Sequence, residues 1–277
     1  MGKIEYHLYR AKFIKSRQTS MLHDDLTPSQ VFAMAIQERP SIMLRKDHIW
    51  HIGNVENFDE NSGYFAIGRT TKTTIEKFDQ ESGNFIEESY ETSPYTHVVF
   101  NSRIGFIGIA QKSKLSPTTK GIAQNIEKLL QQTEIVRRNE INVRIDLIPD
   151  PQNFLEMLLS AFVIKKFIAH FTGPNPNDAD EYFQKPLSVY CDAIGASYGK
   201  VEAVGDNLNK ENVVEVSKST ASTGNSASAT IQRHQGDGQI RIHLGDNPVK
   251  RVYEDESHNK KSVHDDFFVE YERVRNG

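Results

Sequence analysis

From Ile4 to Ile14 the chain alternates apolar and polar residues, the period of a strand with one face buried. Thr27-Pro28-Ser29-Gln30 then reads as a helix start: an N-cap hydroxyl, proline at the first helical position and a glutamine able to reach back to the cap. Val31, Phe32, Ala35 and Ile36 form the stripe of that helix, and Pro40 sets its end. Six short runs rich in β-branched and aromatic residues follow: Ile42–Leu44, Ile49–Phe58, Tyr64–Ile75, Asn84–Tyr90, Thr96–Phe100 and Ile104–Ala110. Asn61-Ser62-Gly63 and Glu81-Ser82-Gly83 mark two hairpin tips, and Asn101-Ser102-Arg103 a third. Consecutive hairpins predict an antiparallel meander. Directly after it, Ser116 as N-cap, Pro117 at the first position and the stripe Ile122, Ile126, Leu129 and Leu130 predict a second helix. These two helices are expected to cover one face of the meander.

Beyond Thr133 the pattern changes. Ile135–Arg138 leads into an apolar run at Asn142–Ile148, a short helix opens at Pro149-Asp150-Pro151 and runs to Leu159, and a buried strand spans Phe162–Phe171. The breaker Gly173-Pro174-Asn175-Pro176-Asn177-Asp178 precedes a helix at Ala179–Ile194, shortened or kinked by Pro186. A strand at Ser197–Val204, a helix at Asn207–Thr220 and a hairpin of Ala229–His234 with Gln239–Leu244 complete the series. Ser219–Thr230 is small and polar throughout, the composition of a mobile linker. The expected class is therefore α+β. An antiparallel β-rich unit with two helices occupies residues 1–135, and a smaller α+β unit with a mixed or antiparallel sheet occupies 136–245. Residues 246–277 read as a charged tail, partly disordered unless Phe267-Phe268-Val269 docks.

Charge adds a surface to this plan. The 277 residues carry a formal net charge of −4, but the bases are segregated. Lys3, Arg10, Lys12, Lys15 and Arg17 face only Glu5 among the first twenty residues. Residues 101–144 hold Arg103, Lys112, Lys114, Lys120, Lys128, Arg137, Arg138 and Arg144 against three acids, whereas residues 54–92 are strongly acidic. On one face, such bases would attract a phosphate backbone despite the acidic total. On different faces they are ordinary solvated surface. Lys112 and Lys114 just ahead of a helix N-terminus make an anion-friendly arrangement. Arg103, Lys112, Lys114, Lys120, Lys128, Arg137 and Arg138 are thus the candidate binding residues, with Arg10, Lys12, Lys15 and Arg17 a second set.

Catalytic signatures are sparse. The single Cys191 excludes an intramolecular disulfide framework and a cysteine-rich zinc site. Among ten histidines there is no HExxH, and GxSxG is missing too. Gly195-Ala196-Ser197-Tyr198-Gly199-Lys200 is one residue short between its glycines for a phosphate-binding loop. His234, Asp237, His243 and Asp246 flank the last hairpin, but strand alternation turns neighbouring positions to opposite faces. Arg251 and His258 have a spacing that some ribonucleases use on a helix, here in an acidic segment. Asp146 and Asp150 lack the glutamate-x-lysine partner of a metal nuclease. No cofactor is expected. No run approaches the roughly 20 apolar residues of a membrane span, and the first residues lack the apolar stretch of a secretory signal, so an intracellular, cytoplasmic protein without membrane insertion is expected.

Ile104-Gly105-Phe106, followed by Ser116-Pro117-Thr118-Thr119 and a helix ending in Leu129-Leu130, resembles the Rex exclusion A proteins of temperate phage and the wider set of bacterial anti-phage proteins sharing their layout. The runs Ile49–Asn57 and Tyr64–Thr71, the overall length and the change of pattern near residue 135 extend the likeness. The break at Gly173-Pro174-Asn175-Pro176-Asn177 is similar to one in uncharacterised defence-island proteins. The resemblance implies an intracellular phage-exclusion protein, dimeric, that binds nucleic acid without sequence preference. DNA is favoured over RNA as the ligand, and a second defence protein is a possible partner. The C-terminal third departs from the pattern, which leaves effector activity there open. Two other readings stand beside it: a nuclease or nucleotide-acting toxin with its site in the C-terminal half, and a protein–protein adaptor whose basic residues are incidental.

Overall fold

The structure, a computed structural model, describes residues 2–15, 26–45, 48–172, 183–254 and 258–276. The elements run β1 (Ile4–Lys15), α1 (Pro28–Gln37), β2 (Ser41–Arg45), β3 (His48–Asn57), β4 (Ser62–Asp79), β5 (Asn84–Thr92), β6 (Tyr95–Asn101) and β7 (Phe106–Ala110). They continue with α2 (Thr119–Gln131), α3 (Glu134–Arg138), β8 (Ile141–Leu147), α4 (Gln152–Ser160), β9 (Val163–Thr172), α5 (Gln184–Ala193) and β10 (Tyr198–Val204). The last are α6 (Lys210–Ser222), β11 (Ala227–Gln232), β12 (Ile240–His243), β13 (Lys250–Tyr253) and α7 (Lys260–Asn276). The fold is α+β, built on two antiparallel sheets. The larger has the order β13-β1-β7-β6-β4-β3-β2, with β5 paired to β4 and β8 to β1; the smaller has the order β10-β9-β11-β12.

The antiparallel meander is present with β5 set aside: β6 returns to pair with β4, beside the stretch that β5 takes. Thr27 caps α1 as its sequence requires: its Oγ1 accepts from the Gln30 N–H at 3.3 Å, and Gln30 Oε1 accepts from the Thr27 N–H at 2.9 Å. The second helix begins two residues later than its sequence suggested, because Thr118, not Ser116, supplies the capping oxygen, to the Gly121 N–H at 3.2 Å. β4 is also longer than expected. Past Thr71 it pairs only with β5, in a two-stranded ribbon carrying the exposed Phe78 and Phe85.

β1 organises the large sheet. Tyr9, Ala11 and Phe13 point toward α1 and α2, in a core with Phe32, Ile122, Ile126 and Leu130. Ile4, Tyr6 and Leu8 point the other way, into a core that continues through α7 to the small sheet. One side of β1 pairs with β7; the other pairs first with β13 and then with β8. The expected divisions at 135/136 and 245/246 therefore do not separate the sheets: β8 and β13 complete the first one. The segment expected as a tail forms β13 and α7, whose Val263, Phe267, Tyr271 and Val274 are buried. Gly108 of β7 makes this possible, since a Cβ there would stand 2.9 Å from Val99 and 3.0 Å from Phe267. Burying a phenylalanine of this kind contributes roughly 1.5–3 kcal/mol.

The stretch expected to be a mobile linker is also ordered. Ser219–Ser222 form the buried last turn of α6, and Ala227–Gln232 is β11, lying between β9 and β12. Its small residues serve packing, because they let α6 approach the sheet closely. The buried hydroxyls are satisfied locally: Ser217 donates to the Val213 carbonyl at 2.6 Å and Thr220 to the Val216 carbonyl at 2.7 Å. Ile135–Arg138, expected only as a lead into a strand, is the helix α3. The breaker at Gly173–Asp178 and the first residues of the expected helix from Ala179 lie outside the described residues. Among the described residues no helix is long and apolar enough to cross a membrane.

Candidate nucleic-acid interface and cleft

Six of the seven candidate cations follow the course of α2. The helix buries Ile122, Ala123, Ile126, Leu129 and Leu130. Lys120 and Lys128, with Gln124 between them, are exposed on the opposite stripe. They stand eight residues apart, about 12 Å along the axis at about 1.5 Å per residue. Lys112 and Lys114 lie in the loop ahead of the helix. The Lys112 amine sits 5.5 Å from the centroid of Tyr95, a cation–π contact, and Lys114 is exposed. Arg137 and Arg138 are exposed on α3, which follows the other end of α2. Arg103 stands apart from the loop: it is exposed at the β6–β7 tip, at the end of β7 opposite Lys112.

The acids nearest this track are engaged with the protein itself. Glu127 Oε2 accepts from the Ile145 N–H at 2.8 Å. Glu38 accepts from the first two amides of α3, Glu134 N–H at 2.6 Å and Ile135 N–H at 2.8 Å. Glu134 lies 3.6 Å from Arg138, an exposed pair of little energetic weight. The sequence reading missed Arg69, a cation from the acidic segment; it donates to the Lys114 carbonyl at 3.3 Å, a long-range neighbour no local pattern reveals.

The second set of candidates does not join this surface. Arg10 and Lys12 continue the every-second-residue series of Tyr6 and Leu8 and so share their inward face; both are buried. Arg10 donates to the Tyr271 hydroxyl at 2.8 Å. Lys12 Nζ donates to Asp146 Oδ2 at 2.8 Å, Thr172 Oγ1 at 3.3 Å and Asn225 Oδ1 at 3.5 Å, joining the two sheets. Burial pulls its amine down to about 8, an effect that Asp146 opposes and that Arg144 and Arg10 reinforce. The side chain of Lys15 and the whole of Arg17 lie outside the described residues.

Beside the first turn of α2 a cleft of about 890 Å³ opens between β8 and the β9–β10 edge of the small sheet. Lys120 and Arg144 line it, with His7, His170, Thr119 and Tyr198. A line of hydrogen bonds fixes its rim: Glu5 to His7 at 2.6 Å, His7 to Thr119 at 2.8 Å, Thr119 to Tyr9 at 2.8 Å. His7 holds the Glu5 carboxyl below its ordinary value. Strand geometry sets His7 and Tyr9 on one face of β1, but no local pattern brings α2 and β10 opposite them.

The groups weighed for catalysis do not assemble. His234, Asp237, His243 and Asp246 are exposed, and Asp237 accepts from the His234 backbone N–H at 3.1 Å, a turn contact. Arg251 pairs with Glu270, while His258 meets the Tyr6 hydroxyl at 2.8 Å. Among the described residues no group of three or more histidine, cysteine or acidic side chains could hold a metal ion. No protein-family model matches this sequence, and no curated protein sequence matches it.

Proposed function

We propose that this protein binds nucleic acid, DNA foremost, along α2 without reading its sequence, as a non-enzymatic, dimeric component of phage exclusion inside the cell that acts through a partner. The observation that carries the reading is the α2 track. Lys112 and Lys114 precede the helix, Lys120 and Lys128 occupy its exposed stripe and Arg137 and Arg138 follow it, while Glu127 and Glu38 are turned to internal work. Backbone recognition needs several cations on one surface and no reacting group. The likeness to phage-exclusion proteins supports the biological setting.

The test is a gel shift with duplex and single-stranded DNA and with RNA, with and without Mg²⁺, repeated over a salt series. Six neutralised phosphates on duplex DNA give a log–log salt slope of about −5. The double variant Lys120→Glu, Lys128→Glu is expected to weaken binding on every sequence alike and to flatten that slope by about 2. Binding indifferent to salt, or unchanged in this variant, refutes the surface; Mg²⁺-dependent cleavage refutes the non-enzymatic reading.

A further inference from the structure

We propose that the cleft between α2, β8 and β10 is a binding site for a nucleoside monophosphate, with its phosphate at Lys120, Arg144 and the first turn of α2 and its base against Tyr198. The site goes beyond polymer binding along α2. It shares only Lys120 with that track.

The cavity has the size and position of a ligand site. Its volume of about 890 Å³ lies within the roughly 300–1,000 Å³ of small-molecule pockets, and it opens where the two sheets meet. Its lining carries two kinds of chemistry. Lys120 stands in the first turn of α2, a helix of 13 residues whose first two amides lack intrahelical partners, the third being taken by Thr118. Arg144 faces the same space; one of its terminal nitrogens bonds Asp146 Oδ1 at 3.1 Å, leaving the rest of a five-donor fork for a ligand. Two of the three carboxylates lining the cleft are committed, Asp146 to Lys12 and Arg144 and Glu127 to the backbone of β8, while the third, Asp246, is exposed. An anion beside Lys120 and Arg144 therefore meets donors whose nearest acids, Asp146 and Glu127, are already engaged. Thr119 and His7 are held in the wall by the bonds running from Glu5 to Tyr9, so that wall is set before a ligand arrives.

Tyr198, also in the lining, is 74% exposed on the edge strand β10, so its ring is open to a ligand. Its neighbour Gly199 keeps the strand tight on the small sheet, since a Cβ there would stand 2.4 Å from Phe171. Tyr198 thus projects from a fixed backbone into the cleft's lining. An aromatic face stacks any base, worth about 1–3 kcal/mol, or roughly 5- to 150-fold in affinity. Ser226 and Asp246 also line the cavity and offer acceptors suited to ribose hydroxyls.

The test is isothermal titration of the full chain with each of the four nucleoside 5′-monophosphates, the matching nucleosides, ribose 5-phosphate and inorganic phosphate. At least one monophosphate is expected to bind about tenfold or more tightly than its nucleoside, ribose 5-phosphate and inorganic phosphate. Tyr198→Ala is expected to reduce that nucleotide to the affinity of ribose 5-phosphate and leave ribose 5-phosphate itself unchanged. Lys120→Glu is expected to remove the phosphate contribution about tenfold or more. Both side chains are exposed, so both variants keep the fold, which circular dichroism checks. If no monophosphate exceeds inorganic phosphate, or if either variant binds as the parent does, the site is wrong. Tyr198→Ala leaves Lys128, Arg137 and Arg138 intact, so the gel shift separates failure of this site from failure of the polymer surface.

Discussion

Replacing one member of the Lys12–Asp146 pair at a time distinguishes a buried cation held by its partner from one that merely fills space. The Lys12 side chain is 3% exposed, whereas Asp146 is 23% exposed and keeps a second cation, Arg144, at 3.1 Å. The two substitutions are therefore unequal. In Asp146→Asn the Lys12 charge stays buried with only Thr172 and Asn225 as full partners, beside Arg144 and Arg10; an uncompensated charge of this kind costs about 3–5 kcal/mol. In Lys12→Met the remaining carboxylate is still paired and partly hydrated, so a loss of about 1 kcal/mol is expected near pH 7. The pH dependence follows from the lowered amine. Between about 8 and the ordinary 10.5 the unfolded chain holds a proton that the folded one has shed, so stability rises with pH across that window. At about 1.4 kcal/mol per pKa unit, the advantage of the parent over Lys12→Met widens by about 2–3 kcal/mol from pH 7 to pH 10. Urea denaturation followed by the fluorescence of the single tryptophan, buried Trp50, reads both quantities without adding salt. Lys12→Met costing as much as Asp146→Asn at pH 7, or a gap that stays constant from pH 7 to 10, would refute this account.

Thr27→Ala removes the oxygen that caps α1 and is expected to cost about 1 kcal/mol in the same urea assay, with Thr27→Ser close to the parent. Gly108→Val drives a branched side chain into Val99 and Phe267, so α7 should lift from the sheet; rapid proteolysis within 260–276 under native conditions is the expected sign. Ala221→Leu overfills the contact between α6 and its neighbours and should destabilise by about 1–3 kcal/mol. In the parent the amides of Ala227–Gln232 should exchange slowly with deuterium, whereas fast exchange there would restore the mobile-linker reading.

The large features were legible because they are local. Alternation gave the strands from β1 to β7, Thr27 and Gln30 gave the start of α1, and the order of elements from β8 to β12 followed from periodicity and breakers. What the sequence hid is long-range. Nothing near Ile141–Leu147 or Lys250–Tyr253 says that both pair with β1, since a strand's pattern shows which face is apolar but not which neighbour it takes. Ser219–Thr230 misled because small polar residues suit linkers and tight helix–sheet contacts equally, and burial decides between them. Phe267 at its helical spacing with Val263, Tyr271 and Val274 was a readable signal inside a charged segment. The α2 cations were visible, and their exposure on one stripe follows from helical geometry. Arg10 and Lys12 stand among the sequence candidates although they fall two and four residues beyond Leu8, on the face it shares with Tyr6. The cleft was not, because its walls come from β1, α2, β8 and β10, brought together only by the meeting of two sheets.

The pairing of Ile4 with Tyr253 has a consequence for synthesis. Emerging from the ribosome, β1 finds β7 after about a hundred residues, but its other edge stays open until β8 and finally β13 have been made. At about 5–20 residues per second, the roughly 250 residues between Ile4 and Tyr253 take about 12 to 50 s to translate. Until β13 is made the Ile4–His7 part of that edge stays unpaired, and the adjoining apolar face, Tyr6 and Leu8, awaits α7. Such a chain closes its sheet late and through distant contacts, which leaves that edge open to other chains during translation.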